Sequence, residues 1–345
     1  MWRFVKHVGM IVPILAVSAC NPVEDLSKGS LGDVQAPMLV SQEVDRDGHV
    51  ELSFDEDVDL DANSLKSDAS SPPVAAEPKN KAKGKRVVAV DTTKGSTPGK
   101  AYSMAAGVKD KSGNTTRVVV PYFGANTRLP KVLINEVLTK SSTTMRDAVE
   151  LYVQSDGNLA GLTLLSGIPE DSDSSYTFKS LEVQAGDYLV VHFKPEGGAG
   201  EVDEYDSPSA SSGRNVSALA RDFWVLEGKG IPDANGVLVL CENPLGKALD
   251  AVFWSDKTTQ EGKEGDAFGT KKLKERVAFL SKVGAWKGSG KVLQVEDAVR
   301  SDKLTATRSL CRSESITDSD KASDWHTVPS GKSSLGARNT DEVLP

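Results

Sequence analysis

Cysteine, histidine and aromatic residues are all scarce in this sequence, and each scarcity excludes a class of chemistry. The chain of 345 residues has three cysteines and four histidines, and aromatic residues make up 6% of it. His49, His192 and His326 fall in separate segments, without the close spacing of metal-binding pairs. Because a catalytic zinc site needs several clustered ligands, we expect no such metal site. A Gly-x-Ser-x-Gly elbow is also missing, which argues against an α/β-hydrolase.

Positive charge and long apolar segments are in short supply as well. The formal net charge is -8 at pH 7. An acidic chain repels the phosphate backbone, so we expect no nucleic-acid partner. After the N-terminus, no segment offers the roughly 20 apolar residues of a transmembrane helix. The glycines at 197–200 lack the Lys-Ser/Thr of a nucleotide-binding P-loop, and no cofactor is expected.

The N-terminal residues are organised like an export signal. Arg3 and Lys6 precede an apolar stretch at residues 8–17, and the tetrapeptide Val-Ser-Ala-Cys ends at Cys20. This order predicts a secretory signal peptide at residues 1–19. The tetrapeptide resembles a bacterial lipobox, which implies cleavage before Cys20 and acylation of that cysteine with chains such as palmitate. A plain signal peptide with an accidental cysteine is the alternative.

A lipid on Cys20 would hold the protein in the cell envelope as a lipid-anchored membrane protein. Asn21 replaces the aspartate that is linked in enteric bacteria to inner-membrane retention, which favours the outer membrane or cell surface. Several acyl chains bind a membrane far more firmly than one. Residues 20–36 contain Gly, Ser and Asp with little apolar periodicity, which is typical of a flexible tether.

Cys241 and Cys311 are the two cysteines that remain once Cys20 is acylated. Each lies beside an apolar run, so both are expected on strands. An exported compartment permits a disulfide between them, which requires Cα atoms within roughly 7 Å. Such a bridge would contribute roughly 4 kcal/mol. Two buried free thiols are the alternative, and the sequence leaves both open.

A first β-domain is expected at residues 37–128. Alternating or β-branched runs predict strands at 50–54, 86–90, 102–106 and 117–121, and Asp110 to Asn114 has the composition of a turn. The strand Val-Glu-Leu-Ser-Phe and the turn Val-x-Asp-x-x-Gly-Asn resemble bacterial Ig-like domains of the surface-layer type. Asp45 and Asp47 superficially resemble a calcium loop but lack its terminal glutamate, so we expect a solvated acidic face and no metal.

A second domain is expected at residues 131–341, where short motifs follow one another in a fixed order. They include Val-Leu-Ile-Asn-Glu ending at Glu136, Asp-Ala-Val-Glu-Leu-Tyr ending at Tyr152, Leu-Asp-Ala-Val-Phe-Trp ending at Trp254, Ser-Leu-Cys-Arg ending at Arg312, and a closing piece ending at Asn339. In this order they resemble the lamin-tail domain, an Ig-like β-sandwich found in nuclear lamins and in many exported bacterial proteins.

Asn135, Glu136, Glu150 and Arg312 are the polar residues of that pattern. One hypothesis makes the two glutamates a pair for acid–base catalysis. The other pairs a strand glutamate with Arg312, whose planar fork suits a carboxylate. We favour the structural hypothesis because proteins of many functions share the motif, and we expect no catalytic residue.

Two insertions interrupt the second domain. Residues 196–222 are rich in Gly, Ser and Asp and are expected to form a mobile loop. Within about 255–300, Leu273, Val277 and Leu280 recur at helical spacing among basic residues, which predicts a basic amphipathic helix. It could lie on a membrane or dock a partner, but covering an edge of the sandwich is favoured.

Together these features predict an all-β protein with two Ig-like β-sandwich domains in tandem, the second with a helical insertion. The expected function is a non-catalytic binding or structural module of the cell envelope, anchored to the membrane and engaging a protein or envelope partner. The alternative is an accessory subunit that recruits or assists an exported hydrolase or nuclease.

Overall fold

The computed structural model describes residues 17–19, 33–44, 48–68, 71–76, 85–257 and 267–344. Cys20, most of the expected tether and the acids at 45 and 47 lie outside the described residues. The chain divides into two compact units, Met1–Arg128 and Leu129–Pro345. Within the described ranges, no helix has the length and apolar character needed to cross a bilayer.

The described residues of the first unit form one seven-stranded sheet that folds around its own core. Its main path runs β1-β7-β6-β3-β5-β4, and β2 pairs with β3. The strands are β1 (Val17–Ala19), β2 (Leu39–Val44), β3 (His49–Ser67), β4 (Ala75–Ala76), β5 (Lys85–Asp91), β6 (Ala101–Lys109) and β7 (Thr115–Phe123). The short β1 belongs to the expected signal peptide, so cleavage before Cys20 would remove it from the edge of β7.

The long strand β3 links the two halves of this sheet. Its first half pairs with β5, and beyond a register shift its second half pairs with β6. Val50, Leu52 and Phe54 alternate with less buried residues and point into the core. This is the period-two pattern expected of a strand with one buried face.

The turn between β6 and β7 has the chemistry expected from the sequence. The backbone N–H and the side-chain Nδ2 of Asn114 both donate to the Asp110 carboxylate, at 2.8 Å each. Gly113 adopts φ +95°, a conformation that favours glycine.

The second unit contains a sandwich of two larger sheets. One has five strands in the order β12-β11-β16-β17-β18, the other has six in the order β15-β14-β9-β8-β19-β20, and β10 pairs with β13. The strands are β8 (Val132–Leu138), β9 (Ala148–Val153), β10 (Gly157–Asn158), β11 (Thr163–Ile168), β12 (Asp171–Thr177), β13 (Glu182–Val183), β14 (Tyr188–His192), β15 (Arg221–Trp224), β16 (Gly236–Cys241), β17 (Ala248–Ser255), β18 (Val299–Arg300), β19 (Leu310–Arg312) and β20 (Trp325–Thr327).

Apolar side chains from both large sheets fill the core of the second unit. Ile134 and Leu151 come from the six-stranded sheet, and Leu164, Val239 and Phe253 come from the five-stranded sheet, all without solvent exposure. The all-β, sandwich-type fold expected from the sequence is therefore confirmed.

Where the structure describes the helical insertion, it contains one α-helix, α1 (Lys271–Val283), which is a minor part of the fold. The hydroxyl of Thr270 caps its start by accepting from the N–H of Leu273, and Gly284 ends it at φ +73°. Leu273, Val277 and Leu280 are buried against the sheet formed by β11, β16 and β17. The apolar face of the helix therefore belongs to the core of the second unit.

Candidate functional site

The four polar residues that the sequence analysis singled out are brought close together by the central strands of the six-stranded sheet. Glu136 on β8 and Glu150 on β9 are direct register partners, and β19 with Arg312 pairs with β8 on its other side. Asn135, Glu136, Glu150 and Arg312 have no solvent exposure. These residues form what we call the polar core.

Glu136 binds the closing segment of the chain, which we define as residues 334–339. The backbone N–H of Ser334 donates to both of its carboxylate oxygens, at 3.1 and 3.0 Å, and the Ser334 hydroxyl donates to Oε2 at 3.0 Å. The Ser309 hydroxyl donates to Oε1. One buried carboxylate therefore receives donors from two separate segments.

Glu150 binds the same segment two residues further on. The N–H of Gly336 donates to its Oε2, and Nδ2 of Asn135 donates to Oε1 at 2.6 Å. Nδ2 of Asn339 in turn donates to the carbonyl oxygens of Asn135 and Arg312, at 3.1 and 3.0 Å. The polar core thus fastens the closing segment onto the sandwich.

Arg312 does not pair with either glutamate, so the Glu–Arg pairing expected from the sequence is wrong. Its Nη2 bonds to Asp250 at 2.7 Å and its Nε to the Ile134 carbonyl at 2.7 Å. The third nitrogen, Nη1, donates to Asp318 at 3.1 Å, and the guanidinium lies 4.7 Å from the centre of the Trp325 ring. The guanidinium of Arg312 therefore binds a different carboxylate from the one we expected.

Burial governs the electrostatics of this cluster. Desolvation, followed by the charge of Glu136, raises the pKa of Glu150 to about 8. Desolvation also raises the pKa of Asp250 to about 6, although the Arg312 charge opposes it. Each carboxylate already accepts backbone or side-chain donors, so these groups hold segments of the chain together. Asp250 and Asn339 lie in motif pieces read from the sequence, but their type alone gave no sign of these partners.

A second buried cluster involves His192, which the sequence did not single out as functional. Its Nε2 lies 2.7 Å from Oδ1 of Asp222, and its ring stacks on Trp224 with centroids 4.0 Å apart. Among the described residues, its Nδ1 has no hydrogen-bond partner. His326 bonds to the carbonyl of Thr340. Within the described ranges, neither imidazole bonds to a serine hydroxyl.

The segment at 196–222, expected to be a mobile loop, is fastened by buried acids. Glu201 accepts the backbone N–H groups of Glu196, Gly197 and Gly198. Glu204 accepts those of Ser211 and Asp222, and it is only 1% exposed. The glycines and serines of this segment form tight turns around buried carboxylates. Composition alone does not distinguish such a segment from a flexible loop.

Cys241 and Cys311 are both free, buried thiols. Cys241 ends β16 in the five-stranded sheet, while Cys311 lies on β19 in the six-stranded sheet beside Glu136. Burial raises the pKa of Cys241 to about 12 and that of Cys311 well above its usual value. The sequence left open a disulfide or two buried free thiols, and the structure has the two free thiols.

Three acids in the first unit form a separate cluster. One carboxylate oxygen each from Asp33, Glu56 and Asp110 lie within 4.8 Å of one another. Burial, and then the Asp110 charge, raise the pKa of Glu56. Oxygen ligands of this kind suit hard cations, but both oxygens of Asp110 already accept from Asn114.

Comparison with known proteins places the second unit in a family. Residues 130–327 match the family model TP_1001_2nd, described as "protein second domain". A protein of Treponema pallidum (strain Nichols), described as uncharacterized, is 32% identical over 146 residues, which cover 42% of this chain and 37% of that protein. This chain therefore matches little more than a third of the relative's length, and no solved structure matches it. Because the model covers more than half of the chain, this protein belongs to the TP_1001_2nd family.

Proposed function

We propose that this protein is an exported lipoprotein, anchored through Cys20, that serves as a non-catalytic binding or structural module of the cell envelope. In this proposal its second unit is a lamin-tail-like domain and its first unit a bacterial Ig-like domain. The observation that carries the non-catalytic role is the use of Glu136 and Glu150. Both carboxylates are fully buried and bonded to the closing segment, as a structural fastening requires.

Catalysis by these acids would require contact with a substrate. General acid–base groups must lie within hydrogen-bond reach of the reacting atoms. In the polar core those positions are taken by the N–H groups of Ser334 and Gly336. Recognition by such a sandwich would instead use its loops and exposed strand edges, which are the surfaces that β-sandwiches generally offer to partners.

The anchor is tested by Cys20→Ala in the full chain. We expect the variant to leave the membrane fraction and to lose labelling by a radioactive fatty acid, because the acylated thiol is gone. Cys241→Ala is the matched control, since it removes a buried thiol without touching the N-terminus. Labelling that persists in Cys20→Ala would contradict the proposal.

The binding role is tested by chemical crosslinking of the acylated chain in envelope extracts. A structural envelope protein recovered in a specific crosslink supports the module. Specific recovery of an exported hydrolase or nuclease, together with a change in its activity, would instead favour the accessory-subunit alternative. Activity of the purified chain alone, lost in Glu150→Gln at unchanged melting temperature, would contradict the non-catalytic role.

A further inference from the structure

The outward side of α1 carries lysines that the core does not use. Lys271, Lys274 and Lys282 are exposed, and helical spacing places Lys271 and Lys282 opposite the buried Leu273, Val277 and Leu280, with Lys274 on one flank. The exposed Lys291 follows in the next loop. We call Lys271, Lys274, Lys282 and Lys291 the lysine face.

Within the part of the chain that the structure describes, one acid forms an ion pair with this face. Lys271 lies 3.6 Å from Glu275, an exposed pair one helical turn apart that is worth little. Among the described residues, Lys274, Lys282 and Lys291 form no ion pair. The chain as a whole has a net charge of -8. The local excess of positive charge on this face therefore has the opposite sign to the net charge of the chain.

Two apolar side chains accompany these charges. Val283 is 46% exposed and Val292 is 68% exposed, each next in sequence to a lysine of the face. The Ser281 hydroxyl donates to the carbonyl of Lys291 at 3.4 Å, which brings the loop back to the end of the helix. Lys282, Lys291 and the two exposed valines therefore share the C-terminal end of α1.

We propose that the lysine face binds the anionic phosphate groups of a phospholipid membrane, an inference that rests on the proposed anchoring at Cys20. The face consists of lysines, which act as point charges, whereas arginine forks suit bidentate recognition of one defined partner. Each lysine held at an anionic bilayer surface strengthens binding about fivefold. Val283 and Val292 add apolar side chains that fit the headgroup boundary.

The contact is superficial and electrostatic. The apolar side of α1 is buried against the five-stranded sheet, so the helix cannot insert it into lipid. Binding therefore depends on Coulomb attraction, which salt screens over about 10 Å at 0.1 M. A lipid anchor supplies proximity, which makes a weak second contact effective.

The test uses the acylated full chain, held by its own anchor in vesicles of phosphatidylcholine or of phosphatidylcholine with phosphatidylglycerol. Acetylation of each lysine is followed by mass spectrometry. We expect Lys271, Lys274, Lys282 and Lys291 to react several-fold more slowly on the anionic vesicles, with the difference lost in high salt. Equal rates on the two vesicles would overturn the proposal. Protection that appears only when envelope proteins are added would overturn it too, in favour of a protein partner.

A charge-reversed variant locates the effect. In Lys274→Glu, Lys282→Glu, Lys291→Glu, we expect Lys271 to lose its protection on anionic vesicles. The control variant reverses the charge of three exposed lysines elsewhere, Lys94→Glu, Lys109→Glu and Lys229→Glu. In this control, Lys271 should stay protected on anionic vesicles. Equal loss of Lys271 protection in both variants would show that the overall charge of the protein causes the protection, and it would overturn the proposal. If the proposed anchor at Cys20 is wrong, the protein without substitutions is released from both kinds of vesicle, and this result is distinct from a failure of the lysine face.

Discussion

Glu136 and Glu150 face each other in the register of β8 and β9, and both carboxylates bind the closing segment at residues 334–339. Like charges directly opposite each other in a sheet normally destabilise it. Here the pKa of Glu150 is raised to about 8, so one member of the pair keeps a proton near neutral pH. The pair can then lie buried together while it accepts backbone donors.

Glu150→Gln tests this arrangement through the pH dependence of stability. The pKa of Glu150 rises from 4.5 to about 8, so between these values the folded protein holds a proton that the unfolded chain releases. The free energy of unfolding therefore falls as pH rises through this window and levels off above it. Asp250 has the same sign, but its contribution ends near pH 6.

We expect Glu150→Gln to lower the free energy of unfolding by about 1–3 kcal/mol at pH 6, because an amide cannot accept from both Asn135 and Gly336. The fall between pH 6 and 8 should flatten. Urea unfolding at several pH values measures both effects. The exposed Glu227→Gln is the control and should behave like the unaltered protein. If the free energy of unfolding of Glu150→Gln still falls between pH 6 and 8, another titrating group causes the fall.

Glu136→Gln should loosen the closing segment. The amide NH₂ of glutamine would face the N–H and hydroxyl donors of Ser334, costing about 1–3 kcal/mol. Faster hydrogen exchange and proteolysis across 330–344 would show it. Glu314→Gln is the matched control because its ion pair with Arg338 in the same segment is exposed, and such pairs contribute about 0–1 kcal/mol. Equal loosening in both variants would contradict a special role for Glu136.

Arg312→Lys should be strongly destabilising despite keeping the charge. A single ammonium cannot reach Asp250, Asp318 and the Ile134 carbonyl together. Leaving the fully buried Asp250 poorly paired costs about 3–5 kcal/mol. Thermal or urea unfolding measures the loss, and Arg338→Lys, at an exposed pair with Glu314, should change little. Near-equal stability of the two variants would show that the fork is dispensable.

The two internal cysteines should both react after unfolding. Without reductant, iodoacetamide should alkylate Cys241 and Cys311 in urea, because the structure has two free thiols. In the folded protein, burial and raised thiol pKa values should leave both unreactive. Mass spectrometry of the unreduced, alkylated protein distinguishes the cases. A linked pair of peptides containing the two cysteines would show a disulfide and contradict this arrangement.

Elements with strong periodicity could be predicted from the sequence. The strand at 50–54 and the helix around Leu273, Val277 and Leu280 follow from spacing alone, because one face of each must be buried. The Asp110 to Asn114 turn follows from local side-chain chemistry. In each case the signal and the contacts that satisfy it lie within one short stretch of chain.

The polar core shows where that approach stops. From the sequence we paired Arg312 with a strand glutamate, but its nearest carboxylate partner is Asp250, on a strand of the other sheet. Which acid meets which base depends on how two sheets pack, and residue type does not encode that. The acids that fasten 196–222 were missed for a related reason, since backbone donors have no signature in sequence.

The bonds between Glu136 and Ser334 join residues 198 positions apart, and this separation bears on the order of folding. Contacts so distant along a chain form late, because a long loop must close before they contribute. Until Ser334 has emerged from the ribosome, β8 lacks donors that it needs once buried. During synthesis the second unit therefore completes its polar core only after Ser334 is available, so the strands of the sandwich must pair first and the closing segment is added last.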